Sequence, residues 1–197
     1  MPLLPDTLAA GPVQLLRWHE DQLDDLMVAI GLSFTELQRW MPWADSMPSA
    51  AAELAVLASG SAAFDADREW QYLIHETSSG DLVGGAGLHR RLGPTALEVG
   101  YWIRSDRTGL GYATAAAGAL TNAAFAHVGG VDTVEIHTDA ANLASAAIPP
   151  KLGFTLAREE PRSPQTRGGT GTFLIWELER SMSPVLVPSG LWSLNGA

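Results

Sequence analysis

The chain contains no cysteine. That excludes disulfides, thiol nucleophiles and cysteine-based metal sites, and it is compatible with a reducing compartment. Basic residues are scarce: 12 Lys and Arg stand against 22 Asp and Glu, a formal charge of −10. So acidic a chain is poorly made for sequence-independent nucleic-acid binding, which needs cations along the phosphates. It suits a cationic or amine-bearing partner better. Long apolar runs are missing too. No stretch approaches the length that spans a bilayer, and "MPLLPDTLAAGPVQLLRW" has no basic region leading into an apolar core. The expectation is a cytoplasmic protein with no membrane partner. His75, His89, His127 and His137 are scattered, with no pair at metal-ligand spacing, so no metal is expected. There is no internal repeat.

What is present is a chain of 197 residues, enough for one domain with a real core. We expect that domain over residues 1–180, with 181–197 as a C-terminal tail, loose or docked through Trp192. "VQLLRW" (Val13 to Trp18) reads as a first strand. Leu23, Leu26, Met27, Ile30, Phe34 and Leu37 then recur at helical spacing. That helix is expected to break near Gly31 and restart at a Ser33 cap, with Glu36 three residues on. "MPWADSMP" is a proline-punctuated loop. Ser49 caps a second helix whose apolar face is marked by Leu54 and Leu57.

The pattern then changes to strands. "EWQYLIHET", "LVGGAGLHRRL" and "ALEVGYWIR" are separated by short turns and read as an antiparallel meander. The helix "GYATAAAGALTNAAFAHV" follows, then the strand "VDTVEIHTD". "NLASAAIPPKLG" is a short helix, expected to end at Pro149 and Pro150 with Gly153 as its C-cap. "FTLAREE" and "TFLIWELER" are two last strands around a polar loop. The fold class is thus α/β: a mixed, mostly antiparallel central sheet flanked by helices, not an alternating Rossmann chain.

One stretch carries chemistry on its face. "EVGYWIRSDRTGLGYAT" runs from a strand through Gly109 and Gly111 into a helix. A helix start leaves backbone N–H groups unpaired and slightly positive, and glycines let an anion approach them. The pattern lacks the Gly-Lys-Ser/Thr of a nucleotide P-loop and the third glycine of a dinucleotide fingerprint. A plain strand-to-helix connection is the alternative. Five further residues stand out. Glu98, on the strand feeding the turn, is a carboxylate that could take an ammonium proton or merely anchor a cation. Asn142 is a natural N-cap, and Ser145 lies three residues on. Trp40 and Trp43 flank Pro42 in the loop after the first helices.

In combination, "LRWHEDQLDDL", "LQRWMPWA", "EVGYWIRSDRTGLGYAT" and "DAANLASAAIPPKLGF" resemble the GNAT family of acyl-CoA-dependent N-acyltransferases. More narrowly, the chain looks like the RimJ/RimL branch, which includes ribosomal-protein N-terminal acetyltransferases. The resemblance covers most of residues 13–179 in order. It implies a splayed strand pair in the sheet, tied to a bulge for which Gly100 is the candidate. It implies that the N–H groups of Thr108, Gly109, Leu110, Gly111, Tyr112 and Ala113 hold the pyrophosphate of acetyl-CoA. Trp102 and Ile103 should pair with the pantetheine arm, and Asn142 should bond it. Ser145 should lie near the sulfur as proton donor to the thiolate, with Glu98 as base. Trp40 and Trp43 should wall the acceptor pocket. The family often has Gln or Arg where this chain has Asp106, with Arg107 one residue on as a substitute, and Glu where it has Ala115. The implied activity is acetyl transfer to a primary amine by direct attack in a ternary complex, with a protein or peptide N-terminal α-amine first. Small-molecule amines (amino acid, polyamine or aminoglycoside), a longer acyl donor and a non-catalytic CoA-binding module are the alternatives. A homodimer is the family's expectation.

Overall fold

The structure is a computed structural model and describes residues 3–183. The expected tail, with Trp192, lies outside these residues. Eight strands form one sheet. They are β1 (Thr7–Ala10), β2 (Val13–Arg17), β3 (Glu69–Glu76), β4 (Leu82–His89), β5 (Ala96–Ile103), β6 (Thr133–Asp139), β7 (Thr155–Pro161) and β8 (Thr172–Glu179). Their order is β1-β2-β3-β4-β5-β6-β8-β7. The helices are α1 (Leu23–Trp40), α2 (Ala50–Asp65), α3 (Tyr112–His127) and α4 (Leu143–Ala146). None of the described helices is long and apolar enough to cross a membrane.

Alternation along the strands sends two sets of side chains to two faces. Trp70, Tyr72, Leu88, Val99 and Ile136 pack under α3, whose small Ala116, Ala117 and Ala124 let it lie close to the sheet. Leu73 and Leu82 face the other way, against Leu26, Ile30 and Leu37 of α1 and Leu57 of α2. Each large apolar side chain so buried contributes about 1.5–3 kcal/mol.

The strand meander, α3 and the late strands stand where the sequence placed them. Four local expectations do not hold. First, α1 is continuous through Gly31, because one glycine inside a helix costs only about 1 kcal/mol. Ser33 is no cap; it is buried, and its hydroxyl accepts the Ser105 N–H at 3.0 Å, pinning the β5–α3 loop to α1. Second, Leu54 points outward, and the buried stripe of α2 is Leu57 and Phe64, two turns apart. Third, the late helix ends at Ala146 with Ala147, not Gly153, as its C-cap, just before Pro149 and Pro150. They open a 3-10 turn over Pro149–Leu152, where proline's missing N–H costs nothing, and Gly153 closes it in the left-handed conformation. Fourth, β1 is an additional strand of four residues, too short and too small in its side chains to announce itself.

The splayed pair is present, with a different origin from the one expected. β5 and β6 are parallel partners only at Ala96–Thr133, Leu97–Val134 and Glu98–Glu135. Beyond Glu98 they part. The register of β4 with β5 passes through Gly100 without a shift, so Gly100 holds no bulge. The cause lies in β6, which stays paired with β8 from Thr133 to Asp139 and leaves with it. One backbone edge of β5 past Glu98 is therefore free of β6.

Candidate active site

The gap between β5 and β6 opens into a cavity of about 820 Å³. Its lining takes Glu98, Gly100 and Trp102 from one side of β5 and Val99 and Tyr101 from the other. The cavity therefore passes through the sheet. Its floor on the α1/α2 side is unusually flat because β4 and β5 put glycines there. The Trp102 indole lies over Gly85, where a Cβ would stand 2.6 Å from Nε1. Gln71 lies over Gly87, where a Cβ would stand 2.3 Å from Oε1. The strand that read simply as "LVGGAGLH" is thus a bed for side chains from its neighbours.

The roof comes from α1, α2 and the loop between β7 and β8. Trp43, about half exposed, meets Trp102 edge-on with ring centroids 6.2 Å apart. Trp40 lies against Gly168 of the loop, and Gly168 N–H donates to the Arg39 carbonyl at 2.9 Å. The loop is clasped from below by Asp139. Its Oδ2 accepts the Thr170 N–H, and its Oδ1 accepts the Thr170 hydroxyl and the Ala141 N–H, each at 2.9 Å. Burial alone would raise the Asp139 carboxyl, but these donors outweigh it and hold it below the ordinary aspartate value.

Glu98 lines the cavity and has no hydrogen bond or ion pair to any described residue. Across β5, the Ser145 hydroxyl donates to the Tyr101 oxygen at 3.2 Å, and the Tyr101 hydroxyl donates to the Ser145 carbonyl at 3.3 Å. Burial pushes the Tyr101 phenol up to about 12, against a small opposing effect of Ser145. Asn142 caps α4, its Oδ1 accepting the Ser145 N–H at 3.2 Å, and so fixes where Ser145 stands.

The turn before α3 lies outside the cavity lining, at the far end of β5. Gly109 and Gly111 have φ of +77° and +81°, with open space where a Cβ would be. Gly111 is the N-cap, and no side chain caps this helix. The N–H groups from Thr108 to Ala113 donate to no described acceptor. Such a row of free donors at a helix start fits a phosphate. The acid at position 106 does not oppose this, because Arg104 holds Asp106 at 2.8 and 3.0 Å. Arg107 is engaged by Asp81 at 2.9 Å and Glu76 at 3.6 Å, and Tyr112 donates to the same Glu76. These contacts brace the turn against the β3–β4 hairpin.

The cavity thus gathers Trp40, Trp43, Glu98, Trp102, Asn142 and Ser145. It leaves Ile103, Arg107 and the turn from Thr108 to Ala113 at its approach. Residues 13–155 match the family model of the acetyltransferase (GNAT) domain. The chain belongs to the GNAT acetyltransferase family. No curated protein matches the sequence. Solved structures carry the same fold as this GNAT acetyltransferase. One is a RimL ribosomal L7/L12 α-N-protein acetyltransferase in complex with coenzyme A, at 17% identity over 88% of this chain and 97% of that one, TM-score 0.79. Another is Mycobacterium smegmatis RimJ in complex with a CoA-disulfide, at 22% identity over 91% and 90%, TM-score 0.80. A third is the microcin C7 self-immunity acetyltransferase MccE with acetyl-CoA and AMP, at 16% over 90% and 98%, TM-score 0.79.

Sequence reasoning missed several cavity residues of this acetyltransferase. Glu53, on α2, lines the cavity, and burial pushes its carboxyl above the ordinary glutamate value. Trp18 lines it too, with a buried Nε1–H that has no partner among the described residues. His89 and His137 are both in the wall, His137 with Nε2 on Glu135 and His89 beside Glu98 across the β4–β5 pair. The one available signal was strand alternation, which puts Glu69, His89 and Glu98 on a common face once the hairpin registers are known.

Proposed function

We propose that this acetyltransferase moves the acetyl group of acetyl-CoA to a primary amine, with the N-terminal α-amine of a protein or peptide as its first acceptor. The observation that carries the reading is the cavity through the sheet. It joins the free β5 edge and the Tyr101–Ser145 pair on one side to Glu98 and the tryptophans on the other. A donor and an acceptor entering from opposite faces would meet in the gap, and that proximity is the larger part of catalysis for such a reaction.

Acetyl-CoA, when bound, supplies the activated acetyl thioester. The residues that would hold it are the N–H groups of Thr108 to Ala113 for the pyrophosphate. The β5 edge at Trp102 and Ile103, with Asn142, would hold the pantetheine arm. Glu98 offers the incoming ammonium an unpaired carboxylate, and the tryptophan faces offer it a cation–π wall. Ser145 holds a hydroxyl proton at the gap for the departing sulfur, and Tyr101, kept protonated by its burial, can replace that proton. The choice of a protein N-terminus is supported by the similar fold of RimL, an enzyme that acts on the L7/L12 N-terminus.

A small-molecule acceptor is favoured by a different observation. The β7–β8 loop reaches over the cavity to α1, where the Arg167 guanidinium donates to Gln38 at 3.1 Å, and so narrows the entrance. A thiol-release assay with acetyl-CoA separates the two. Peptides with free N-termini should release CoA, and the same peptides with blocked N-termini should not. Turnover with small amines and none with free peptides would transfer the assignment to the second reading.

A further inference from the structure

Glu98 is placed to bind an ammonium, but a bound ammonium cannot attack until it loses a proton. The group beside it has the better geometry to take that proton. His89 on β4 is the direct cross-strand neighbour of Glu98 on β5. Its side chain is almost wholly buried and forms part of the cavity wall. Its two nitrogens have different surroundings. Nδ1 lies 3.2 Å from the Glu69 carboxylate on β3, with the Arg91 guanidinium at 3.0 Å and the Gln71 amide at 3.4 Å. Nε2 has no hydrogen-bond partner among the described residues. It faces Gly100, where even a Cβ would stand only 3.4 Å away. The missing side chain at Gly100 leaves a notch in the wall between Glu98 and Trp102, and Nε2 lies at its base.

We propose that His89, oriented by Glu69, accepts the proton of the acceptor ammonium, and that Glu98 is the anchor that holds the ammonium over the notch. This rests on the reading of the cavity as an amine-acylating site. Glu69 accepts Nδ1–H, which leaves the Nε2 lone pair toward the cavity. The His89 hydrogen bond, foremost, holds Glu69 below the ordinary glutamate value, so Glu69 remains an acceptor. The Arg91 guanidinium and the Gln71 amide are donors that can meet only a lone pair at Nδ1, so the Nδ1–H tautomer requires both to turn to Glu69, which Arg91 already approaches at 4.0 Å. The ammonium gives one proton to Nε2, directly or through one water. The neutral amine then forms the C–N bond as the C–S bond breaks. Its second proton passes to the sulfur through Ser145, and the imidazolium returns its proton to solvent.

Two measurements test this. In the wild-type protein, two-bond nitrogen–proton NMR of the His89 ring should show the Nδ1–H tautomer, and in Glu69→Gln that preference should be lost. A wild-type ring carrying Nε2–H overturns the proposal. Then kcat/KM with acetyl-CoA and a free-amine peptide is followed from pH 6 to 9.5, for wild type, His89→Gln and Glu69→Gln. His89→Gln should lose about 10²-fold at neutral pH and recover most of it as the amine deprotonates unaided. Glu69→Gln, which keeps the imidazole, should show a smaller defect of the same pH shape. A defect equal at every pH, or none, overturns the role of His89. A wild type inactive with every amine overturns the function itself, a result distinct from an active wild type whose pH profile keeps its shape in His89→Gln.

Discussion

Gly111 and Gly130 offer a matched pair of perturbations on one helix. Both are left-handed, at φ +81° and +76°, and a Cβ at either would meet nothing within 4 Å. Gly111 starts α3 and Gly130 lies just beyond its end, about 24 Å away for 16 residues at 1.5 Å each. Alanine at either position therefore clashes with nothing and costs only the left-handed backbone, about 1–2 kcal/mol. For a domain of this size that is a fall in Tm of about 2–8 °C, similar for the two variants. Their CoA affinity should differ. Gly111 lies inside the row of free N–H groups, and losing one hydrogen bond to a charged group is worth about 1.5–3 kcal/mol. At about 1.4 kcal/mol per decade, CoA should bind Gly111→Ala roughly 10- to 150-fold more weakly. Gly130→Ala should bind CoA as wild type does. Thermal denaturation and isothermal titration with CoA read the two effects separately. If both variants lose affinity alike, the loss is general strain and the phosphate cradle is wrong. If Gly111→Ala binds as wild type, the cradle lies elsewhere.

Other substitutions test the remaining roles. Ser145→Ala should lower kcat about 10²-fold with little change in KM for acetyl-CoA, whereas Tyr101→Phe, which leaves the serine hydroxyl in place, should cost less. An unchanged kcat in Ser145→Ala, measured by thiol release, would remove the proton-donor role. Glu98→Gln should raise KM for the amine roughly tenfold or more, with a smaller effect on kcat, as expected of an anchor. Asp139 is held below the ordinary aspartate value in the folded state, so its clasp stabilises at pH above the unfolded aspartate value. That contribution fades as pH falls through the folded one. The Tm advantage of wild type over Asp139→Asn should therefore be full near neutrality and shrink in acid. An advantage independent of pH would show that the clasp acts through packing alone.

The parts of this molecule that were legible in its sequence are those specified locally. Short runs between turns marked β3, β4 and β5, the Gly109–Gly111 turn marked the start of α3, and Asn142 marked the cap of α4. The misread parts depend on neighbours distant in the chain. Ser33 has the sequence context of a cap, but Ser105, 72 positions away, takes its hydroxyl. The splay was assigned to Gly100, yet it arises because β6 follows β8, a strand some 35 residues later. His89 looked isolated because its partners, Glu69 and Glu98, join it only through two hairpin registers. Glu53 gave no signal at all: an acid in the first turn of a helix is ordinary, and only the fold over the cavity makes it unusual.

The glycine floor has a consequence for how the acceptor range of this enzyme can change. At Gly85 and Gly87 there is no side chain left to shorten, so no substitution there deepens the cleft, and any addition meets Trp102 or Gln71 at once. Variation that enlarges or reshapes the space must come from above, through Trp43, Glu53, Val56 and the β7–β8 loop, where chains are long and partly exposed. Libraries aimed at a new amine should therefore tolerate diversity in the roof and collapse to wild type in the floor. The two sides of one cavity would evolve at very different rates.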